Sequence, residues 1–389
     1  MKLKTVVMFA PCNVLPVRQG SDRFIVQIAE YLHAQPNIYL RLVIQDKNNG
    51  FDYSGICNEV AYIDLPKRWH LWDILNKIII RTGIATLNAC FLSLGMRERF
   101  SPLIGDADYI ILNYLQWFSL IPSRIRKTKT LCVTHDLLHY RVASFTGTDR
   151  WWKKVLVCIN KIVELRLLKG FRKIGILADY EEEILRSADF PMSMVMKTGM
   201  PISVSAPITS IRASNKKYDF VFLGGGAVQN IEGLKYFFDR VMPHMPQGEY
   251  SMAVAGQVCQ SPLFKSIAVP KSIKLHVMGY VDSPTEFCMS GVVGLGTLPF
   301  GSGIKVKVVE MMMSGLPMLV TDHGIEGIPT GAAVVNIDEV GVEIACCRVY
   351  EWLNNVKGSI ALGIKQAEML RKEFSPEERL SGLLSDIEV

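Results

Sequence analysis

Short apolar runs alternate with longer amphipathic segments along most of this chain. Each run has the length of a buried strand, and each amphipathic segment has the residue spacing of a helix. Such an alternation is typical of a parallel sheet whose strands are joined by crossover helices. We therefore predict an α/β fold, in which ligands bind at the carboxyl ends of the strands.

The pattern occurs twice, which predicts two sheets. The first set of predicted strands covers residues 5–10, 39–45, 60–65, 109–113 and 130–134. The second set covers residues 218–223, 250–255, 273–278, 291–298 and 317–321. Residues 202–217 are rich in Ser, Pro and short polar residues, so we place the domain boundary there. Residues 359–389 are predicted as a helix, kinked at residues 374–377, that packs back across this boundary.

Length and composition agree with two globular domains. A chain of 389 residues is too long for one ordinary domain, and its 49% hydrophobic content can supply two cores. The net charge of +6 is mildly basic. It suits phosphate-bearing ligands or an anionic membrane surface better than a dedicated nucleic-acid binder, so we expect no nucleic acid partner.

Cysteine usage and the N-terminal region indicate a cytoplasmic protein. The nine cysteines have no Cys-x-x-Cys spacing, which argues against a disulfide framework. The apolar run at residues 5–10 is too short for a signal peptide and is interrupted by Pro11, so we interpret it as a strand. No stretch has the length of apolar sequence that a membrane span needs.

The stretch from residue 298 to residue 320 is the richest in candidate chemistry. A small-residue loop there opens a short helix, whose N-terminus offers unpaired N–H groups and a positive dipole end to an anion. Glycine lets a phosphate or hydroxyl approach the backbone because it lacks a Cβ. Glu310, about two turns into the predicted helix, can accept two hydroxyls at once. The candidate ligand-binding residues are Gly301, Ser302, Gly303, Ile304, Lys305, Lys307 and Glu310.

This stretch resembles the donor-site motif of the GT-B glycosyltransferases, specifically the retaining family four, or glycosyl transferases group 1. The family motif has a Gly/Ser loop, a basic helix and then Glu-Ala-Met-Ala-x-Gly-x-Pro-Val. Here it stands as GSGIKVKVVEMMMSGLPMLV, from residue 301 to residue 320. The resemblance implies that Glu310 holds the ribose hydroxyls of a nucleotide-sugar and that residues 301–303 face the donor sugar and its phosphates.

The resemblance also implies the architecture. The GT-B fold has two Rossmann-like domains with parallel sheets facing a central cleft. Residues 1–205 would form the acceptor-binding domain, residues 206–370 the nucleotide-sugar-binding domain, and residues 371–389 a helix that crosses back to the first domain. The family retains anomeric configuration, needs no bound metal and uses no cofactor besides its nucleotide diphosphate-sugar donor.

One position departs from the family pattern. Many members carry a further glutamate in the loop before the helix, where Ser302 stands here. A Gly-Ser-Gly loop is a recognisable branch of the family. The substitution puts in doubt any catalytic role that depends on that carboxylate.

Two further turns of the second domain resemble parts of the family's donor site. Gly224 and Gly225 follow a predicted strand, as in the variant that lacks the Arg and Lys-Gly aimed at the diphosphate. The phosphates would then be met by backbone N–H groups, Lys305 or Lys307, with Lys235 a weaker candidate. Val281 lies in a turn similar to the Gly-x-Val-x-Asp turn that cups the base. An ordinary strand-to-helix turn explains Val281 equally well.

In the first domain, the resemblance points to His135 as a catalytic residue alongside Glu310. His135 follows a predicted strand, and a neutral imidazole there can orient a hydroxyl. Asp136 and Arg23 are the candidate acceptor-binding residues. Gly20, in the loop after the first predicted strand, is a candidate donor-binding residue. A passive histidine beside a capping aspartate, and a solvated helix start at Arg23, are the alternatives. No third ligand accompanies His135 and His139 at metal-binding spacing.

Two segments of the first domain, residues 66–100 and 151–173, combine tryptophans with many basic residues. Basic amphipathic helices with Trp are typical of binding to anionic lipid at the membrane interface. The alternative is a core helix with a solvated basic face. If these helices do bind lipid, the acceptor is lipid-linked or a lipid-borne saccharide, and the protein works at the inner face of the cell membrane.

We therefore predict a glycosyltransferase of polysaccharide, lipopolysaccharide or other glycoconjugate biosynthesis. Its partners would be a nucleotide-sugar donor, a saccharide or lipid-linked acceptor, and an anionic membrane surface. One alternative is a non-catalytic sugar- or nucleotide-binding partner protein, in which Ser302 marks a lost activity. The other is a GT-B sugar-nucleotide epimerase, which would need extra carboxylates near the ligand.

Overall fold

The computed structural model describes residues 3–17, 20–63, 70–146, 150–202, 204, 207–213 and 215–388. The chain divides into two compact domains. Met1–Pro201 and Pro376–Val389 form the first, and Ile202–Ser375 forms the second. The predicted boundary between residues 205 and 206 lies outside the described residues.

The first domain is built on a seven-stranded parallel sheet. Its strands are β1 (Lys4–Ala10), β2 (Ile38–Ile44), β3 (Glu59–Tyr62), β4 (Tyr109–Asn113), β5 (Thr130–Val133), β6 (Lys173–Ile176) and β7 (Val195–Lys197). Their order is β3-β2-β1-β4-β5-β6-β7. The central strands β1, β4 and β5 are almost completely buried, as apolar strands covered by helices on both faces must be. The end of predicted strand 60–65 lies outside the described residues.

Seven helices follow these strands. They are α1 (Gly20–His33), α2 (His70–Arg81), α3 (Cys90–Phe100), α4 (Ser123–Lys129), α5 (Leu138–Thr146), α6 (Trp151–Leu168) and α7 (Asp179–Ser187). Short 3₁₀ turns include Ala85–Leu87 and Leu115–Leu120. Ser21 and Asp22 are typical N-cap residues, but helix α1 begins one residue earlier, at Gly20. Asp22 therefore lies in the first turn, where it is 4% exposed and where a carboxylate suits the helix dipole.

The second domain contains a six-stranded parallel sheet. Its strands are β8 (Tyr218–Leu223), β9 (Tyr250–Ala255), β10 (Ile273–Gly279), β11 (Gly291–Gly296), β12 (Met318–Val320) and β13 (Val334–Asn336). Their order is β10-β9-β8-β11-β12-β13. Three short strands, β6, β7 and β13, are not among the predicted ones.

In the described part of the second domain, nine helices accompany this sheet. They are α8 (Ile208–Ala213), α9 (Val228–Tyr236), α10 (Pro262–Lys265), α11 (Pro284–Met289), α12 (Val306–Met313), α13 (Asp322–Ile325), α14 (Ile337–Val340), α15 (Val342–Asn354) and α16 (Val356–Glu373). A π-helical turn, Phe237–Val241, continues α9. The core includes Phe220, Phe237, Tyr250 and Trp352.

The C-terminal region is two helices, which corrects the prediction of one kinked helix. Helix α16 belongs to the second domain, where Gly363 packs against the backbone of Gly315 and the Arg371 guanidinium donates to the carbonyl of Met313. A second helix, α17 (Pro376–Glu388), belongs to the first domain. The Asp386 carboxylate accepts hydrogen bonds from Tyr109 and Arg172 there. Proline opens α17 because a first-turn residue needs no N–H.

Candidate functional site

His135 stands at the carboxyl end of β5 in an unusual backbone conformation. Its φ is +64°, in the left-handed region that residues other than glycine rarely adopt. The neighbouring strand β4 is followed by Tyr114, whose φ is +68°. Two such residues beside each other at the ligand-binding edge of a parallel sheet indicate a functional site, because the surrounding structure must hold both against strain.

The Asn113 side chain determines which nitrogen of His135 carries the proton. Asn113 is fully buried, and its amide nitrogen donates to the carbonyl of Phe9 at 2.8 Å. Its Oδ1 therefore faces His135 Nε2, at 2.9 Å. Since a carbonyl oxygen can only accept, Nε2 must be protonated, and Nδ1 keeps its lone pair. His135 can thus accept a hydrogen bond from a hydroxyl through Nδ1.

Aromatic rings hold the imidazole in place. The Tyr114 ring stacks on His135 with centroids 3.8 Å apart and planes within 5° of parallel. The Phe24 ring meets the same imidazole edge-on at 5.0 Å. The Tyr114 hydroxyl is hydrogen-bonded to Ser21, at the start of α1, and burial raises the pKa of Tyr114 to about 12.

Burial also keeps His135 neutral. It lowers the pKa of the imidazole to about 3, because the charged form loses its hydration. The side chain is therefore a hydrogen-bonding group near neutral pH. It is not a cation.

The loop after His135 is anchored from α6. Glu164 is fully buried and accepts from the backbone N–H groups of Leu138 and His139, at 2.8 and 2.9 Å. It also bonds His139 Nδ1 at 2.6 Å. Glu164 thereby caps the N-terminus of α5, and His139 has a structural partner. The sequence singled out neither Glu164 nor Asn113, because their partners are distant along the chain.

The other predicted residues of the first domain lie around this cluster. Asp136 is 14% exposed and lies 3.8 Å from Arg141, and its charge acts on Tyr114. Gly20 is the first residue of α1, one position before Ser21. Arg23 lies in the first turn of α1, where its charge lowers the pKa of Glu30 against the effect of burial.

In the second domain, a glycine loop follows β8. A Cβ on Gly224 would lie 2.6 Å from the ring of Phe222, and a Cβ on Gly256 would lie 2.2 Å from the carbonyl oxygen of Gly224. Larger residues at either position would displace the loop. The Asn230 amide donates to the carbonyl of Gly225 at 3.0 Å and closes the loop against α9. These contacts give a physical reason for glycine at position 224 and for the asparagine at position 230.

Lys307 brings a positive charge to this loop. Its ammonium nitrogen lies 3.6 Å from the position that a Cβ on Gly225 would occupy. The side chain is partly buried, and burial lowers its pKa, although Glu310 acts in the opposite direction. In the described part of the chain, Lys307 has neither a hydrogen bond nor an ion pair within bonding distance. A partly buried ammonium of this kind suits an anionic ligand.

The loop before α12 has the conformation that its glycines allow. Gly301 has φ +133° and Gly303 has φ +78°. The Lys305 ammonium donates to the carbonyl of Gly303 at 2.6 Å and lies 3.6 Å from the Glu326 carboxylate. The side chains of Lys305 and Glu326 are only 12% and 13% exposed. The contacts with Gly303 and Glu326 thus hold the Lys305 side chain against the loop. The sequence did not predict Glu326 as a partner of Lys305.

Helix α12 is shorter than predicted, which moves Glu310 closer to its start. The helix begins at Val306, so Glu310 is a little over one turn from the N-terminus, where two turns were predicted. The strand end before the loop is held by Thr321, whose hydroxyl donates to the carbonyl of Leu298 at 2.5 Å. Ser302 and Ile304 complete the loop, with Ile304 buried.

Val281 and Lys235 are the remaining predicted residues of the second domain. Val281 follows β10, and β10 is separated from β8 by β9. It is half-buried, after Gly279 with φ +67°. Lys235 pairs with Glu232 on the same helix at 2.8 Å. Among the described residues, no three His, Cys, Asp or Glu side chains group as a metal site, and no helix is long and apolar enough to cross a membrane.

The whole chain is similar in fold to solved glycosyltransferase structures. S. aureus TarM matches with a TM-score of 0.69 at 10% identity, over 100% of this chain and 99% of that chain. Anabaena HepE, solved in complex with UDP, matches with a TM-score of 0.64 at 11% identity, over 99% and 100%. A glycosyltransferase from Rickettsia africae matches with a TM-score of 0.61 at 10% identity, over 100% and 98%. The predicted α/β, GT-B fold is confirmed.

The sequence of the second domain agrees with this fold. Residues 217–351 match the family model described as glycosyl transferases group 1. No curated protein matches the chain in sequence. The resemblance drawn from residues 301–320 is therefore confirmed: residues 217–351 carry the glycosyl transferases group 1 sequence pattern, and the whole chain has the GT-B fold.

Proposed function

We propose that the chain transfers a sugar from a nucleotide diphosphate-sugar to a hydroxyl acceptor with retention of configuration. The observation that carries this proposal is the position of the Lys307 ammonium, beside Gly225 and without a partner in the described residues. A donor diphosphate would supply the missing negative charge. Backbone N–H groups of residues 224–226 and 301–303 would share it.

The residues of α12 and its loop would bind the rest of the donor. The Glu310 carboxylate would accept the two ribose hydroxyls. Lys305, positioned by Gly303 and Glu326, would contact the phosphates or the sugar. Val281 would contact the base, and Gly20, Gly224 and Gly225 would allow close approach of the donor to the backbone.

In the reaction, charge develops on the departing diphosphate. Fixed cations and N–H groups aimed at that charge lower the barrier without reorganising. His135, neutral and protonated on Nε2, would accept a hydrogen bond from a donor-sugar or acceptor hydroxyl through Nδ1 and so orient it. Asp136 and Arg23 would bind the acceptor. A donor-phosphate oxygen would take the acceptor proton, so the scheme needs no strong protein base.

The nucleotide is proposed to be uridine diphosphate. Support comes from two structures with the same fold, TarM and HepE, both of which were solved with UDP. The acceptor is proposed to be a saccharide or lipid-linked saccharide of glycoconjugate biosynthesis. The expected place of action is the cytoplasm, at the inner face of the membrane.

A nucleotide panel tests the donor site. UDP, GDP, ADP and their sugar conjugates are added to the purified full chain while its melting temperature is recorded, and binding to the folded state raises that temperature. We expect UDP compounds to shift the wild type and to lose most of the shift in Glu310→Ala. Asp338→Ala, a change of a carboxylate on α14, is the control variant.

Turnover tests the activity itself. The enzyme should release UDP from the UDP-sugar that binds, and release should increase with a suitable acceptor. Binding without release under any acceptor condition would favour the non-catalytic alternative, and interconversion of the sugar without release would favour an epimerase. Analysis of the product's anomeric configuration by NMR tests retention.

A further inference from the structure

The outer faces of α2 and α6 expose an unusual amount of apolar surface. Eight of the 21 large hydrophobic side chains exposed among the described residues lie on these two helices. They are Ile74, Ile78, Ile80, Trp151, Trp152, Val155, Ile159 and Ile162. Trp151 is 76% exposed and Ile162 is 61% exposed. Contiguous exposed apolar surface of this kind marks a binding surface.

The same helices direct polar residues inward. The buried positions of α6 are Asn160, Glu164 and Leu168, and Asn76 is buried among the α2 residues whose side chains the structure describes. Each polar side chain has structural partners, for example Asn76 with the carbonyl of Asn88. The inner side of α6 also packs Leu168 into the core of the first domain, so this helix has apolar residues on its buried side and on its exposed side. This arrangement differs from the alternative of a core helix with a solvated basic face.

The two helices meet at the end of α2 and form one surface. The Asn160 amide donates to the carbonyl of Gly83 at 3.1 Å, and its Oδ1 accepts from the N–H of Ala85 at 2.8 Å. A Cβ on Gly83 would lie 3.2 Å from Leu156 of α6. We call this surface the α2–α6 face, defined by the eight apolar side chains above.

Basic residues accompany the apolar ones on this face. Lys77, Arg81, Lys154, Arg166 and Lys169 are all exposed. The one carboxylate of α6, Glu164, is fully buried and paired with His139. The exposed side of α6 therefore carries apolar side chains, and its charged side chains are all basic, over about 27 Å of helix.

We propose that the α2–α6 face binds the surface of an anionic lipid bilayer. The tryptophans and isoleucines would enter the boundary between headgroups and acyl chains, while the lysines and arginines would contact the anionic headgroups. A second copy of the chain fits less well. In a two-fold interface, α6 would meet its own copy and place like charges together.

This surface also bears on the acceptor. Helix α6 carries the α2–α6 face on its outer side and, through Glu164 on its inner side, anchors the loop that follows His135. We infer an acceptor hydroxyl borne by a lipid-anchored molecule. This part rests on the proposed function, whereas the lipid-binding surface does not.

Vesicle flotation tests the surface. The purified full chain is mixed with vesicles of phosphatidylcholine alone, or of phosphatidylcholine with phosphatidylglycerol. We expect binding to the anionic vesicles only. The double variant Lys154→Glu/Arg166→Glu should weaken it by at least about fivefold per charge. The double variant Trp151→Ser/Ile162→Ser should weaken it by about tenfold or more.

Control variants on α15 of the second domain match these changes. Ile344→Ser alters an exposed isoleucine and Arg348→Glu an exposed arginine, and both should leave vesicle binding unchanged. Absence of vesicle binding by the wild type, or equal binding by the α6 variants, would overturn the proposal. So would a wild-type dimer that the Trp151→Ser/Ile162→Ser variant dissociates in sedimentation equilibrium.

UDP binding, measured on the same variants, separates this surface from the proposed function. The α6 variants should bind UDP as the wild type does, because the substituted residues belong to the first domain. If the wild type binds vesicles but no nucleotide, the proposed function fails and the surface stands. If it transfers sugar equally well to soluble and vesicle-borne acceptors, the inference about the acceptor is wrong.

Discussion

The rings of Tyr114 and His135 lie parallel and 3.8 Å apart, and both residues have positive φ. They follow the neighbouring strands β4 and β5, whose last residues, Asn113 and Val133, are paired in register. Sheet pairing therefore places one strained residue directly beside the other. The stack and the Asn113 hydrogen bond fix the imidazole before any ligand binds.

Removal of the stacked ring should reduce catalysis without reducing donor binding. In Tyr114→Ala, the imidazole loses its stacking partner, and misplacement of an orienting group can cost up to about a hundredfold in rate. We expect kcat to fall while the Kd for UDP, measured by calorimetry, stays unchanged. Tyr114→Phe keeps the ring and should keep most of the activity. Equal loss in the two variants would show that the hydroxyl, and not the stack, is the important group.

Asn113→Asp should change the protonation of His135. A carboxylate at this position accepts from Nε2 and favours the imidazolium, so the pKa of His135 should rise from its value of about 3. Nitrogen NMR of the imidazole should show Nε2–H in the wild type and a protonated ring at higher pH in the variant. Asn354→Asp, at an exposed asparagine that also donates to a carbonyl, should leave the His135 signals unchanged.

Lys307→Ala should weaken nucleotide diphosphate binding. Hydrogen bonds to charged groups are worth about 1.5–3 kcal/mol, so the Kd for UDP should rise by about tenfold to a hundredfold. Lys235→Ala removes a lysine that is already paired with Glu232 and should have little effect. Equal effects of the two substitutions would contradict the assignment of Lys307 to the phosphates.

The pH dependence of UDP binding is a second test of the role of Lys307. Burial lowers the pKa of Lys307 below its usual 10.5, so the ammonium loses its proton, and UDP binding weakens, at a lower pH than for an exposed lysine. Lys307→Arg keeps its charge at all these pH values. Its UDP affinity should therefore be flat across the range in which that of the wild type falls.

Gly324→Ala should destabilise the second domain and disturb the donor loop. A Cβ at residue 324 would lie 1.8 Å from the carbonyl oxygen of Gly296, the last residue of β11 before the loop. We expect a loss of about 3 kcal/mol or more in the free energy of unfolding. Gly382→Ala is the matched control, because nothing lies within 4 Å of its Cβ in α17. It should stabilise by about 0.5–1 kcal/mol through helix propensity.

Acid should destabilise the first domain through His135. The pKa of this imidazole is lowered from 6.5 in the unfolded chain to about 3 in the fold, so the folded state binds fewer protons between these values. The stability from this group is complete above pH 6.5 and is lost as the pH falls toward 3. His135→Gln should show a shallower decline of melting temperature with acid. An identical decline would mean that His135 is not neutralised by burial.

The parts of the proposed donor site that are local in sequence could be singled out from the sequence alone. The glycines at 224–225 and 301–303, Lys307 and Glu310 lie within short segments whose spacing reflects a turn followed by a helix. Even so, the partly buried state of Lys307 beside Gly225 depends on the pairing of β8 with β11. The sequence pattern alone made Lys305 and Lys307 indistinguishable from solvated lysines.

The alternation of apolar runs and amphipathic helices determined the fold class, because buried parallel strands and their crossover helices each leave a local period. Only the tertiary structure decided which residues meet. It paired Asn113 with His135, Lys305 with Glu326 and Glu164 with the loop after His135, across 22, 21 and 26 positions. It also left a second apolar stripe of α6 exposed to solvent. A single-sequence pattern records the period of a helix, but the direction that its faces take depends on what packs against them.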